Sequence, residues 1–333
     1  MPSILTRPLG RILAAAAVLV ILAMGWFVLQ VDPVFSGHGK VVSVQITSGE
    51  SVATLANDLH HQGVIASPWA YRLYAVVGGP TLSIGLYQIA QGSSFGHISS
   101  VFGGPPAIDV NAGQTLHEVT SSVANAMGTS WANEFAKAIT NDVTKSPFAQ
   151  GSSLEGLIGV GQYFISSSTT PASLAERMVN AFVKEAALVG LTPTTTLNGL
   201  NAYQLVIAAS IVEKEGYYPV NMPRVARVIY NRLARGGPLQ MDATVLYYLG
   251  QDGGTVTPED LRIQTPYNTY LNNGLTPTPI CAVSTIALDA TLHAPPGTWL
   301  YFTLVNQDGT MKFSTTFAQQ LAAEKLGESR GIG

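Results

Sequence analysis

The segment LVIAASIVEKEG, Leu205 to Gly216, sets a short acidic cluster at the end of an apolar run. A helix that is apolar on every side is a buried helix, and Glu213 falls within about one turn of its buried part. Desolvation there raises a carboxyl pKa and keeps the group protonated near neutral pH, as a general acid requires. At helical spacing Glu213 and Glu215 point about 200° apart, so they cannot serve one reacting atom while the helix persists. The segment thus offers one acid rather than a pair. The competing reading is a solvated helix end, where Lys214 suits the dipole and the acids do not.

Two later stretches add groups that suit a sugar, which presents hydroxyls, amides and flat apolar faces. LQMDATV holds Gln240 and Asp242 beside a β-branched run, and TPYNTY sets Tyr267 and Tyr270 around Asn268. Each alone is weak, because an asparagine after Pro-Tyr is commonly a turn residue. The helix MPRVARVIYNRLARG ahead of both carries Arg224, Arg227, Asn231 and Arg235 on one face, ordinarily a solvated stripe. Other chemistries find little support. Gly92-Ser93-Ser94-Phe95-Gly96 matches G-x-S-x-G, a pattern common by chance among 33 glycines, and no lysine follows a serine by three residues. His60 and His61 are adjacent and diverge on a helix, which disfavours a histidine zinc site, and there is no phosphate loop.

These residues must be positioned by about 300 residues of folded chain behind a hydrophobic N-terminus. Ile12 to Leu29 is free of charge and covers roughly 27 Å as a helix, close to a hydrocarbon core. Arg7 and Arg11 precede it and Asp32 follows it, which leaves residues 1–11 in the cytoplasm and the remainder outside. A cleaved signal peptide is the rival, but its apolar region would be unusually long and no small-x-small site stands out before Pro33. Residues 32–40 read as a linker. VVSVQIT followed by Gly49, and a helix capped by Ser51, form a strand–turn–helix unit. The pattern returns at 107–127, with Ile108 and Val110 in a strand, Gly113 in a turn and a Thr115–Glu118 capping box. Two unrelated units fit the spacing equally well. A short strand is expected at Leu86–Ala90, a boundary at Gly103 to Pro106, and mainly helix over 130–200.

Composition is consistent with this plan. Only 11% of the 333 residues are charged against 47% hydrophobic, which excludes a disordered chain. A net charge of −3 without a basic cluster argues against nucleic acid as a partner. The single cysteine, Cys281, excludes an internal disulfide and a cysteine-rich zinc site.

Taken in order, the apolar anchor, ITSGES, GLYQI, VNAGQTL, SLEG, ASIVEKEG, VARVIYNRL, LQMDATV, TPYNTY with GLTPTPI, and WLYFT resemble the MltG/YceG family of membrane-anchored endolytic murein transglycosylases. The resemblance covers nearly the whole outer part of the chain. It implies an α+β chain with a transmembrane helix at 12–31, a LysM-like module over 41–104 and a lytic transglycosylase-like catalytic domain over 105–333. It implies Glu213 as the essential acid, acting on nascent peptidoglycan strands to leave 1,6-anhydro-muramyl ends, with no cofactor and no metal. Implied partners are glycan strands, the cytoplasmic membrane and peptidoglycan synthases. Gln240 and Asn268 are assigned to orienting the sugar N-acetyl groups, Tyr267 or Tyr270 to stacking, Asp242 to substrate binding and Glu155 to support of the site. The chain departs from the family where SLEGYLFPDTY becomes SLEGLIGVGQY, LQSDPTV becomes LQMDATV and GLPPGPI becomes GLTPTPI. Two alternatives remain: a hydrolase pairing Glu213 with Asp242, and a glycan-binding scaffold without catalysis.

Overall fold

The computed structural model describes residues 6–332 apart from 34, 35, 37, 48, 49, 79–81, 84, 105 and 167, and the side chains of residues 6–11 and 78 are likewise outside the description. Gly49, expected to turn the first strand–helix unit, and Pro105, in the expected boundary, fall among the undescribed positions. The chain is a mixed α+β protein divided into two compact units.

The first unit comprises residues 1–107 with the short segments 124–129 and 164–169. It begins with α1, Thr6–Val31, whose stretch from Ile12 to Val31 is long and apolar enough to cross a membrane and is not buried in the protein. β1 (Val41–Ile46) pairs antiparallel with β2 (Gly85–Ala90), from Val41 opposite Ala90 to Ile46 opposite Gly85. Between them lie α2 (Val52–His61) and α3 (Pro68–Gly78), and α4 (Phe95–Gly103) follows. Ser51 caps α2 by accepting from the Thr54 N–H at 3.1 Å, so that Leu55, Ala56 and Leu59 face inward as their spacing predicts. These residues join Val44, Ile46, Tyr71, Phe95 and Phe102 in one core. Aromatic edges close it, with Tyr71 against Phe95 at 5.2 Å and Tyr87 against Phe102 at 5.1 Å between ring centroids.

The second unit holds the rest of the chain. β3 (Ala107–Val110) pairs with β4 (Gly161–Phe164), and between them run α5 (Leu116–Met127) and α6 (Thr129–Ala138). Thr115 and Glu118 make the expected reciprocal cap. After α7 (Pro171–Leu188) comes a tight hairpin of β5 (Thr196–Leu197) and β6 (Leu200–Asn201). Asn198 and Gly199 take φ of 53° and 78° at its tip, the conformation that Asn-Gly favours. The hairpin delivers Asn201 as the cap of α8 (Ala202–Gly216), in a capping box with Gln204.

α8 is the buried helix expected from its sequence, with every residue from Ala202 to Val212 except Gln204 enclosed. Around it pack α9 (Met222–Ala234), α10 (Asp242–Leu249) and α11 (Thr285–Leu292), and the chain ends in the hairpin β7 (Tyr301–Leu304)–β8 (Met311–Ser314) and α12 (Phe317–Glu328). Of the polar stripe expected on α9, Arg224 and Arg235 are exposed as expected, but Arg227 and Asn231, with Arg232 beside them, are engaged by the protein. Arg227 donates to the carbonyls of Ala294 and Pro295, Asn231 to those of Gly297 and Trp299, and Arg232 to those of Leu239 and Leu300. Arg224 lies over the Trp299 ring at 5.7 Å. That face therefore holds the irregular segment 294–300, whose carbonyls have no sheet to pair with.

Candidate functional site

The Glu213-Lys214-Glu215 triplet forms the last turn of α8, where the helix emerges from the core. Ser210, one turn earlier and fully buried, accepts the Ile280 N–H at 3.0 Å, and the Cys281 thiol reaches the Ser210 carbonyl at 3.4 Å. The segment 280–284 is thus fixed along α8, and Ser284 arrives opposite Glu213. Glu213 Oε2 accepts the Ser284 N–H at 2.9 Å and its hydroxyl at 2.6 Å. Ser284 is also the N-cap of α11, so the carboxylate sits at a helix N-terminus. Among the described residues no hydrogen bond reaches Glu213 Oε1, which leaves that oxygen for a substrate.

Lys214 spans the site. Its ammonium donates to the Gly113 carbonyl at 3.1 Å and pairs with Asp252 at 2.5 Å, with the lysine side chain only 18% exposed. Gly113 takes a φ of 86°, and its N–H donates to the Ala282 carbonyl at 2.9 Å, so the turn of the second strand–helix unit is tied to the segment carrying Ser284. Glu215 is anchored elsewhere: its Oε1 accepts the Ala243 N–H at 3.2 Å in the first turn of α10. Burial of this carboxyl, reinforced by the negative charge of Asp242, pushes it up to about 7. A burial-raised carboxyl is thus present in this turn at Glu215. Both glutamates line one open cleft of about 670 Å³, with Asp242, the loop 111–114 and the glycine-rich strip 252–254. Separation around the helix does not send them to different cavities, because the helix stops one residue later and the cleft wraps its end.

A smaller cavity of about 290 Å³ shares Lys214 and Asp252 in its lining. Glu155, Tyr247 and Tyr267 face it with His117 and Glu118. Glu155 accepts the Leu116 N–H at 3.1 Å, at the start of α5, and the Tyr247 hydroxyl at 3.1 Å. Its burial raises the carboxyl to about 7 against the lowering effect of those donors. Gly156 explains how this loop fits. Its φ is 71°, and a Cβ there would lie 2.3 Å from Pro279 and 2.9 Å from the Cys281 carbonyl. Tyr267 stacks obliquely near Tyr247 with centroids 5.1 Å apart, and its hydroxyl meets that of Thr278 at 2.9 Å.

The expected site residues therefore divide. Glu213 and Asp242 line the cleft, Glu155 and Tyr267 the smaller cavity, and Gln240, Asn268 and Tyr270 line neither. Asn268 is fully buried and spends its side chain on the protein. It donates to the carbonyls of Leu261 and Ile263 at 3.0 and 2.9 Å and accepts the Tyr270 N–H at 3.0 Å. This corrects its expected contact with a sugar: the residue braces a loop. Gln240 is exposed in a left-handed backbone conformation, φ 52°, and is held through its N–H to the Thr269 carbonyl at 2.9 Å. Tyr270 donates its hydroxyl to Asp242 at 2.5 Å, which positions that carboxylate rather than offering a free ring. Ser284, Lys214, Glu215 and Asp252 were not expected in the site. The only local signal for Asp252 is the glycine run around it, and Ser284 is marked only as a serine ahead of a short apolar helix.

A family model described as the YceG-like family matches residues 44–325. An endolytic murein transglycosylase of Bacillus subtilis is 29% identical over 318 residues, covering 88% of this chain and 87% of that one. A Streptococcus pneumoniae protein of the same name is 27% identical over 318 residues, and the match spans 85% of this chain but 57% of the pneumococcal one. The crystal structure of a YceG-like protein from Listeria monocytogenes superposes with a TM-score of 0.57 at 25% identity, covering 85% of this chain and 99% of that one. With the match spanning most of its length, the chain belongs to the YceG-like family.

Proposed function

We propose that the protein is a membrane-anchored endolytic murein transglycosylase, cutting the bond between N-acetylmuramic acid and N-acetylglucosamine within nascent peptidoglycan strands. The observation that carries the reading is Glu213: one oxygen fixed by Ser284 at a helix N-terminus, the other open to a cleft large enough for a sugar strand. Glu213 protonates the glycosidic oxygen as the bond to the anomeric carbon breaks. The same carboxylate then takes the proton from the C6 hydroxyl of the muramyl sugar as that oxygen bonds to the anomeric carbon. The product ends in a 1,6-anhydro ring and no water is consumed, so one carboxyl performs both proton transfers. Asp242, oriented by Tyr270, contacts the sugar across the cleft, and Tyr267 with Glu155 forms a flanking subsite. Lys214 ties these walls together.

Residues 41–104 act as a LysM-like module that holds glycan near the membrane, and residues 105–333, including the second strand–helix unit at 107–127, as the catalytic domain. A compact strand–helix–helix–strand arrangement with its own core supports the first assignment. The apolar α1 serves as an uncleaved anchor, with Arg7 and Arg11 on the cytoplasmic side and the enzyme outside the cytoplasmic membrane, where peptidoglycan synthases supply new strands. Mass spectrometry of the fragments released from isolated glycan strands tests the chemistry, with 1,6-anhydro-muramyl ends expected. The presence of Asp242 in the same cleft favours one second reading, a hydrolase using two carboxylates, which would release reducing ends instead.

A further inference from the structure

α3 is apolar on both sides. Ala70 and Tyr71 on one face are fully buried in the core of the first unit, with Tyr74 packed against it. The other face runs through Trp69, Leu73, Val76 and Val77, at i, i+4, i+7 and i+8, and is open to solvent: Trp69 is 63% exposed, Leu73 40% and the two valines 83% each. A helix apolar all round belongs in a core or in lipid, and a contiguous exposed apolar face marks an interaction surface. The one charged residue of α3, Arg72, is turned away from that face to the Asn57 side chain at 2.7 Å and the Ala53 carbonyl at 3.1 Å.

What this face meets is indicated by its neighbour. Trp69 and Trp26 lie 6.3 Å apart between ring centroids, and Trp26 is near the outer end of the apolar stretch of α1. Phe27 and Val31, the next residues on the same helix end, pack against the core of the first unit. The anchor and α3 are therefore one packed body rather than domains joined by a loose tether, and the exposed face of α3 is continuous with a surface that already lies in lipid. Tryptophan favours the interface between headgroups and acyl chains, and aliphatic side chains the hydrocarbon just beneath it.

We propose that the Trp69–Leu73–Val76–Val77 face of α3 inserts into the outer leaflet beside the transmembrane helix, forming a second, interfacial contact with the bilayer. This rests on α1 spanning the membrane, and its consequence is specific. A single spanning helix leaves the body packed on it free to tilt in the bilayer, whereas a helix and a lateral patch fix its orientation to the membrane plane. The first unit is then held flat against the surface from which new strands emerge.

The test uses the full chain in nanodiscs whose phospholipids carry bromine at a shallow acyl position. The protein has four tryptophans, at 26, 69, 131 and 299, so two single-tryptophan chains are made by phenylalanine substitution, one keeping Trp26 and one Trp69. Brominated lipid should quench both to a comparable degree. Quenching of Trp26 without Trp69 would overturn the interfacial contact while leaving the anchor intact, and quenching of neither would overturn both. An independent measurement avoids these substitutions: a polarity-sensitive fluorophore on Val76→Cys, the native Cys281 being buried and unreactive. Its emission should shift to the blue in nanodiscs relative to an otherwise identical chain labelled at exposed Lys137→Cys, and equal emission at the two positions would refute the contact.

Discussion

The two cavities on either side of the Lys214–Asp252 pair are built from the same materials and prepared for different work. The open cleft holds Glu213 with an uncommitted oxygen, whereas in the smaller cavity Glu155 receives the Leu116 N–H on both oxygens and the Tyr247 hydroxyl on one. Each glutamate of the site is met by donors from a helix start: Ser284 of α11 for Glu213, Ala243 of α10 for Glu215 and Leu116 of α5 for Glu155. Residue type and helix dipole are thus shared, and the cavity each carboxyl faces and the donors it meets differ. Burial pushes the carboxyls of Glu155 and Glu215 up to about 7, Glu215 while lining the same open cleft as Glu213. A carboxyl that must give and recover a proton needs access to the substrate more than it needs enclosure.

The largest effect expected is that of Glu213→Gln. The amide keeps the shape but cannot exchange a proton, so turnover should fall by about 10²- to 10⁴-fold, the usual worth of general acid–base catalysis. Release of anhydro-muropeptides measures it, and circular dichroism checks that the fold is retained. Turnover above a few per cent would remove the distinction between this acid and the other two. A smaller effect is expected from cutting the shared wall. Lys214→Met loses both the Gly113 carbonyl and Asp252, and Asp252→Asn weakens only the ion pair. Roughly tenfold loss in kcat/KM for the first and less for the second, carried mainly in KM, would fit a wall that shapes the cleft. Equal losses carried in kcat would instead make Lys214 part of the chemistry.

Much of this could be read along the chain, and the misses have a common cause. α8 is legible because its apolar run is too continuous for any exposed helix, and its cap is written locally in Asn201 and Gln204. The strand and cap at 107–118 are legible for the same reason. The desolvation of the Glu215 carboxyl was not, since it is met by a helix that begins 27 residues further on, around Ala243. The ion pair of Lys214 has its partner in a glycine-rich strip with no periodicity, and the polar face of α9 looks solvated until the segment 294–300 is laid on it. Asn268 misled in the opposite sense. Its commonplace reading as a loop residue is what the structure gives, and the resemblance to a family of glycan-cleaving enzymes had favoured a sugar contact.

Acid titration sharpens the contrast between the glutamates. Carboxyls raised from 4.5 to about 7 hold protons in the folded chain that the unfolded chain has already released. The stability they contribute is complete below pH 4.5 and is lost as pH rises through about 7, a decline of roughly 1–3 kcal/mol for each group. Glu155→Gln and Glu215→Gln mimic the protonated forms, so each should flatten part of that decline in urea midpoints measured between pH 4.5 and 8. The effect of Glu215→Gln on turnover should stay far below that of Glu213→Gln. A variant that keeps the full pH slope would place its carboxyl in water rather than in the protein.

The smallest effect on turnover is expected at Asn268, where the comparison predicts a loss of stability without a loss of chemistry. Its amide is the only partner described for the carbonyls of Leu261 and Ile263, at a single turn of 3-10 helix (Asp260–Arg262) and its end, and its own oxygen holds Tyr270, which in turn holds Asp242. Asn268→Ala strands two acceptors and one donor in a buried place, at a cost of about 1–3 kcal/mol. Activity per folded molecule at a temperature well below unfolding should nevertheless stay within about twofold of the parent, less than 0.5 kcal/mol, because neither cavity loses a lining group. Asn268→Asp separates the roles further: it restores the acceptor for Tyr270 but not the donors for the two carbonyls. A KM raised several-fold in both variants at full stability would return Asn268 to the substrate, whereas a lowered urea midpoint with unchanged KM keeps it as the brace that sets the far wall of the cleft.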